Sequence, residues 1–158
     1  MIDPDETEHR LATDVDALGA TEAFGIPGLV NSRALTFLPG HDKVYAAVLR
    51  RFATQYADGV PGLEACLEQG LWHDIGRALH SLRGACGAVG AVDLAEHCER
   101  LESAVWALVD GAADPDDAAG VPPGLAALQA TLRALAAAID HRLSQRGLVQ
   151  VAPKPAGQ

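Results

Sequence analysis

Apolar residues recur at alternating intervals of three and four positions over much of the chain. The first segment with this spacing contains Trp72, Ile75, Leu79, Leu82, Cys86 and Val89. The second contains Leu94, Cys98, Leu101, Val105 and Leu108. The third contains Leu125, Leu128, Leu132, Leu135 and Ile139, with Leu143 extending the same face. Because an α-helix has about 3.6 residues per turn, each set lies on one side of a helix. The pattern predicts three amphipathic helices around a shared core.

The remaining segments complete an all-α architecture. Residues 41–59 also show helical spacing, and the glycine and proline that follow are expected to end that helix. A short apolar helix is expected at about 32–38, and a single turn of helix within 62–70. Residues 110–124 are rich in Gly, Pro and Asp, which predicts a loop. The fold expected is an antiparallel four-helix bundle with a short extra N-terminal helix.

The junction between the first two apolar segments is very short. Only residues 90–93 separate them, and the short junction at Gly90 and Ala91 forces the two helices into a hairpin. Glycine commonly ends a helix because it adopts the left-handed conformation without strain. Gly90 is therefore expected to end the first helix of the hairpin.

Composition agrees with a single helical domain. The chain has 158 residues, of which 49% are hydrophobic and only 4% aromatic, so aliphatic side chains should form the core. Three cysteines, Cys66, Cys86 and Cys98, have no CxxC spacing and are expected to be reduced thiols rather than metal ligands. No apolar run is long enough for a membrane span, and the acidic start is unlike a secretory signal. These features predict a cytoplasmic protein that does not enter membranes.

The negative charge is concentrated at the N-terminus. The net charge is −9, and residues 1–25 contribute −6 of it, from seven acidic residues and Arg10. We expect residues 1–25 to form a flexible leader, residues 26–147 the folded domain and residues 148–158 a flexible tail. The basic surface that nucleic-acid binding requires is absent from this composition, so no nucleic-acid partner is expected.

Three glycines surround one histidine, His80, within the first apolar segment. Each interior glycine disfavours a helix by about 1 kcal/mol relative to alanine, so their presence needs a reason. His80 is turned about 100° from the neighbouring core position, which places it beside the buried stripe. Neighbours on the same face lie three, four or seven residues away. They are His73, Gly76, Arg77, Arg83, Gly84 and Gly87.

This arrangement suits a histidine that accepts and donates a phosphoryl group. The glycines would let a partner approach the imidazole, and Arg77 and Arg83 would offset negative charge. Imidazole is largely unprotonated near neutral pH, so one ring nitrogen is free as a nucleophile. The alternative interpretation is an ordinary surface histidine on a helix whose glycines permit close packing.

Other polar residues offer weaker candidates. His73 is interpreted as a polar residue at the rim of the face rather than a second acceptor. His97 and Cys98 are adjacent and point in different directions, so they do not predict a metal site. Glu96, Glu99 and Glu102 are expected on a solvated or salt-bridged face, with Arg100 nearby. No glycine-rich phosphate loop or nucleotide-binding segment is visible, so catalytic use of ATP is not expected.

The segment "HSLRGACGAVGAVDLAEHCERLE", residues 80–102, resembles the motif of histidine phosphotransfer (HPt) domains. The matching positions are His80, Leu82, Arg83, Gly84, Gly90, Ala91, Leu94, Cys98, Leu101 and Glu102. Residues 26–52 resemble the first helices of phosphotransfer domains attached to hybrid sensor kinases, so the resemblance covers about 26–109. Arg83 stands where the family more often has lysine, which keeps the charge.

The resemblance implies a phosphorelay intermediate. His80 would accept a phosphoryl group on Nε2 from a receiver-domain aspartate and pass it to a response regulator. Arg83 and Arg77 would support the charge, Gly84 and Gly87 would keep the docking face open, and Glu102 would be structural. The chain would need no cofactor and no catalytic machinery, because the receiver carries the acidic pocket and magnesium. A monomer is expected.

Two alternatives stay open at this point. One is the phosphoacceptor domain of a chemotaxis-type kinase, which a kinase domain phosphorylates directly from ATP. The other is a non-phosphorylated adaptor bundle that uses the same face only to bind receivers. The resemblance offers no explanation of the acidic leader.

Overall fold

Helices dominate the computed structural model, which describes residues 25–30 and 42–147. They are α1 (Asp42–Gln55), α2 (Leu63–Glu68), α3 (Trp72–Val89), α4 (Val92–Val109) and α5 (Pro115–Gln145). The all-α prediction is confirmed, as is the short helical turn before α3. The predicted helix at 32–38, the tail at 148–158 and the leader up to residue 24 lie outside the described residues.

The four long helices form a closed ring around the core. Helix α1 contacts α3 and α5, and α4 contacts the same two helices from the other side. Tyr45, near the start of α1, donates a hydrogen bond of 2.7 Å to the carbonyl of Val89 at the end of α3, so these helices are antiparallel. The predicted stripes are the core, since Ile75, Leu79 and Leu82 are completely buried. Burial of each such side chain contributes about 1.5–3 kcal/mol.

The turn between α3 and α4 has the geometry expected of a glycine terminator. Gly90 has φ of 82°, and the amide of Ala91 donates to the carbonyl of Cys86 at 2.9 Å. The backbone of Val30 packs against this turn, and its amide donates to the carbonyl of Gly90 at 2.9 Å. A side chain at Gly90 would collide with the Val30 carbonyl oxygen. Glycine is therefore required at position 90 for two reasons, the positive φ angle and the closeness of the Val30 carbonyl.

The predicted loop at 110–124 is wrong over most of its length, because α5 begins at Pro115. The Asp114 carboxylate accepts a hydrogen bond from the Asp116 amide at 3.2 Å, which caps the helix. Proline at the first helical position favours a helix start, since its missing N–H has no partner there anyway. Pro122 and Pro123 interrupt the hydrogen-bond ladder further on. The helix continues because Val121 and Leu125, on either side of the break, are buried in the core.

Two of the three cysteines belong to the core. Cys86 and Cys98 are completely buried, Cys66 is partly buried, and all three are free thiols. A hydrogen bond to Cys98 and burial raise the pKa of the Cys86 thiol. Within the described part of the chain, no helix is both long and apolar enough to cross a membrane.

Candidate functional site

His80 lies in the middle of α3 with most of its ring accessible. Its side chain is 64% exposed, although the adjacent Leu79 and the nearby Leu82 are completely buried. The structure thus places the imidazole at the edge of the buried stripe, as the helical spacing predicts. A rigid helix in the bundle therefore presents a histidine ring to an approaching molecule.

Glu102 on α4 holds one side of this ring. Its Oε1 lies 2.8 Å from Nδ1 of His80, and its side chain is only 10% exposed. A carboxylate accepts hydrogen bonds, so we assign the proton of the neutral imidazole to Nδ1. That tautomer leaves the lone pair on Nε2, the nitrogen on the opposite side of the ring. In that tautomer Nε2 is the ring nitrogen with a lone pair available to an approaching group.

Arg83 sits one turn after His80 and bridges two carboxylates of α4. Its Nη1 lies 3.4 Å from Oε2 of Glu102 and 3.5 Å from Oε1 of Glu99. Oε2 of Glu102 is buried and accepts no hydrogen bond from the described residues, so the ion pair with Arg83 is what offsets its charge. Arg83 therefore supports the Glu102 carboxylate directly and the ring of His80 through it.

Arg77 is engaged elsewhere. Its guanidinium donates to the Asp74 carboxylate at 2.6 Å, within the first turns of α3, and its side chain is 67% exposed. The structure places Arg77 one turn before His80 but pairs it along its own helix. Both arginines that were predicted to offset phosphoryl charge already have acidic partners, so neither is an unpaired cation beside His80.

The three glycines near His80 divide into two kinds. Gly84 and Gly87 are exposed, and a methyl group at either position would meet open space. Gly76 is buried beneath the indole of Trp106, where a methyl group would lie 2.9 Å from two ring carbons. The prediction that all three keep the docking face open is therefore wrong for Gly76, whose lack of a side chain makes room for tryptophan.

His73 belongs to the same corner as Trp106. The two ring centroids are 5.1 Å apart and the planes are nearly perpendicular, at 88°. Edge-to-face contact of this kind is favourable for aromatic rings. His73 is exposed and lies at the margin of the face.

Glu102 and Trp106 are the two residues of this region that the helical spacing alone does not identify. Both flank the apolar stripe of α4, so the spacing within that helix does not predict what they contact. The hairpin does predict it, because residues equally distant from a tight turn face each other. His80 and Glu102 are each 11 residues from Ala91.

The site offers no constellation for a metal ion. Within the described ranges, no group of three or more His, Cys, Asp or Glu side chains could hold one. The arrangement presents an exposed imidazole ring in which one nitrogen can act as a nucleophile and the other is hydrogen-bonded to a carboxylate.

Comparison with known proteins places the chain in a family. The model of the Hpt domain family matches residues 47–143, which is more than half of the 158-residue chain. Searches of curated proteins and of solved structures gave no significant match. The matched region includes His80, Glu102 and Arg83 together with most of the bundle. The chain therefore belongs to the Hpt domain family of two-component phosphorelays.

Proposed function

We propose that this protein carries phosphoryl groups between receiver domains, with Nε2 of His80 as the accepting atom. Hpt domains take part in histidine phosphotransfer and interact with receiver domains of two-component systems. The observation that supports the specific residue is the 2.8 Å contact between Nδ1 of His80 and the Glu102 carboxylate, beside a ring that is largely exposed.

The proposed transfer is a direct exchange at phosphorus. The Nε2 lone pair attacks the phosphorus of an aspartyl phosphate, an N–P bond forms, and the P–O bond to aspartate breaks with its electrons leaving on the carboxylate. The imidazole ring, still protonated at Nδ1, becomes cationic. Glu102 faces that proton and stabilises the positive ring through a charge-assisted hydrogen bond. The same steps in reverse deliver the phosphoryl group to the aspartate of a second receiver.

The charge balance around His80 suits a carrier. A site that bound phosphate tightly would present unpaired cations, yet Arg83 and Arg77 both face carboxylates. The chain therefore stabilises the phosphorylated ring without trapping the phosphoryl group. In this proposal the chain acts without a cofactor or catalytic machinery of its own, and the receiver provides the acidic pocket and magnesium.

Gly84 and Gly87 fit the same proposal. Both are exposed and bare, on the side of α3 towards its C-terminal end. A receiver needs its aspartate to come within bonding distance of Nε2, and side chains at these positions would hold it away. We further propose that the protein acts as a monomer in the cytoplasm, where the reducing environment agrees with its three free thiols.

The test uses a purified receiver labelled on its aspartate. Incubation with the chain should transfer the label to a group that is labile in acid and stable in alkali, as a phosphohistidine is. His80→Gln should abolish the transfer. His141→Gln is the matched control, since His141 is an exposed histidine on α5 rather than α3, and it should keep the transfer. Label on the His80→Gln protein would overturn the proposal.

A further inference from the structure

The face around His80 is asymmetric. Towards the C-terminal end of α3 it is bare, at Gly84 and Gly87. Towards the N-terminal end it carries the indole of Trp106, which covers Gly76. Gly76 is one helical turn before His80, and Trp106 is one turn after Glu102, so the indole adjoins the histidine–carboxylate pair.

Two further apolar side chains, at the ends of α3 and α4, are exposed. Leu71, which caps α3, is 41% exposed, and Val109, the last residue of α4, is 39% exposed. Because α3 and α4 form an antiparallel hairpin, these two helix ends lie at the same end of the bundle. The exposed Arg77–Asp74 ion pair lies on α3 towards this end and the Arg83–Glu99 ion pair lies towards the bare end, so the indole of Trp106 contrasts with charged groups on the same hairpin.

The indole occupies a space that exists only because residue 76 is glycine. Glycine within a helix is disfavoured relative to alanine, and at Gly76 the space it leaves is filled by Trp106. His73 contacts the ring edge-on at a centroid distance of 5.1 Å. Yet Trp106 is only partly buried and is not part of the buried core of the described residues. A tryptophan that packs on its own bundle and stays partly exposed is typical of residues that dominate binding at protein interfaces.

We propose that Trp106 determines which receivers dock productively on His80, by contacting an apolar side chain that the receiver presents beside its phosphorylated aspartate. This inference rests on the proposed phosphotransfer function. Gly76 and His73 act as supports that fix the position of the indole. A receiver whose matching position is charged would have to desolvate that charge against the ring, and it would bind more weakly.

The first test measures receiver preference. Label transfer from a panel of phosphorylated receiver domains of the source organism is compared between the wild-type protein and Trp106→Ala. For the receiver preferred by the wild type, KM should rise about tenfold or more, as for other interface tryptophans, while kcat changes little. The differences in KM between receivers should become smaller. Labelling of His80 by phosphoramidate, a small donor that needs no docking, should be unchanged.

A second measurement does not depend on removing the indole. The chain has two tryptophans, so Trp72→Phe leaves Trp106 as the only indole. Trp72 is partly buried against the core, where phenylalanine keeps an aromatic ring. Addition of the preferred receiver should shift or quench the emission of Trp106.

The outcomes separate the two proposals. If no receiver labels the wild-type protein, the phosphotransfer function itself is wrong. If receivers label the wild type but the KM for the preferred receiver is unchanged in Trp106→Ala, the role of Trp106 is wrong. Emission of Trp106 that is unaffected by a receiver competent in transfer would also overturn it, and this result stands even if Trp106→Ala fails to fold.

Discussion

His80 and Glu102 lie on opposite arms of one helical hairpin, and Nδ1 of the histidine is 2.8 Å from Oε1 of the carboxylate. The carboxylate is almost completely buried, whereas the ring is mostly exposed. This pairing fixes the tautomer of a surface histidine from the side facing the bundle. The proposed reactivity of Nε2 follows from that pairing more than from any cationic residue nearby.

Removal of the Glu102 charge should slow phosphorylation of His80. In Glu102→Gln, the side chain keeps its size but no longer stabilises a cationic ring, and we expect a decrease in rate of about tenfold or more. The rate of labelling by phosphoramidate measures this without any effect of docking. Glu99→Gln is the matched control, because Glu99 contacts Arg83 but is 63% exposed. An equal loss in both variants would contradict the specific role of Glu102.

Arg83 and Arg77 should differ in their contribution to stability. Arg83→Ala leaves the buried Oε2 of Glu102 without an ionic partner, which should lower the free energy of unfolding by about 1 kcal/mol or more. Arg77→Ala removes an exposed pair within one helix and should change it by less than about 0.5 kcal/mol. Urea denaturation of the two variants measures the difference, and equal values would argue against the ion pair at Glu102.

Two glycines of α3 should respond to alanine in opposite directions. Gly84→Ala adds a methyl group in open space and should stabilise the helix by up to about 1 kcal/mol. Gly76→Ala forces the methyl group against the indole of Trp106 and should destabilise the protein by about 1–3 kcal/mol. Thermal denaturation gives the sign of each change. Stabilisation by Gly76→Ala would show that the indole does not pack there.

A large side chain at the bare end of the face should separate docking from folding. Gly84→Phe projects a ring into solvent beside His80, so it should block transfer from a receiver and leave the bundle folded. Circular dichroism checks the fold, and labelling by phosphoramidate checks that His80 stays reactive. Transfer at the wild-type rate would contradict the assignment of this surface to receiver docking.

Tyr45 should link stability to alkaline pH. Burial raises its pKa to about 12, and its hydroxyl donates to the Val89 carbonyl. Since the folded state favours the neutral phenol, the stability from Tyr45 is complete below the ordinary pKa of about 10 and is lost as the pH rises towards 12. Tyr45→Phe should lower stability by about 1 kcal/mol at neutral pH and weaken this alkaline decline. An unchanged decline in the variant would assign it to other groups.

Much of the fold could be predicted from the sequence because apolar residues recur with helical periodicity. The 3–4 spacing identified the core of α3 and α4, and Gly90 identified the turn between them. The start of α5 was missed because prolines were interpreted as breakers, although Pro115 occupies the first helical position after an Asp cap. A proline's effect depends on its position in the helix, which composition alone does not reveal.

The candidate site was accessible only along α3. His80, Gly84 and Gly87 follow from the spacing within one helix, but the partners of α3 come from α4. The hairpin register relates them, since Gly76 and Trp106 are each 15 residues from Ala91, and Arg83 and Glu99 are each eight. Pairing residues that are equally distant from the turn places Glu102 opposite His80 and Trp106 opposite Gly76. The burial of Gly76 and the exact contact atoms depend on side-chain packing, which spacing does not specify.

The role proposed for the His80–Glu102 pair is tested by identifying the ring nitrogen of His80 that carries the phosphoryl group. The protein is labelled with ¹⁵N in its histidine rings and phosphorylated by a receiver, and coupling between ³¹P and ring nitrogen is then measured by NMR. We expect coupling to Nε2 of His80, with Nδ1 still protonated beside Glu102. Phosphorylation at Nδ1 of His80, or at any other residue, would contradict the account.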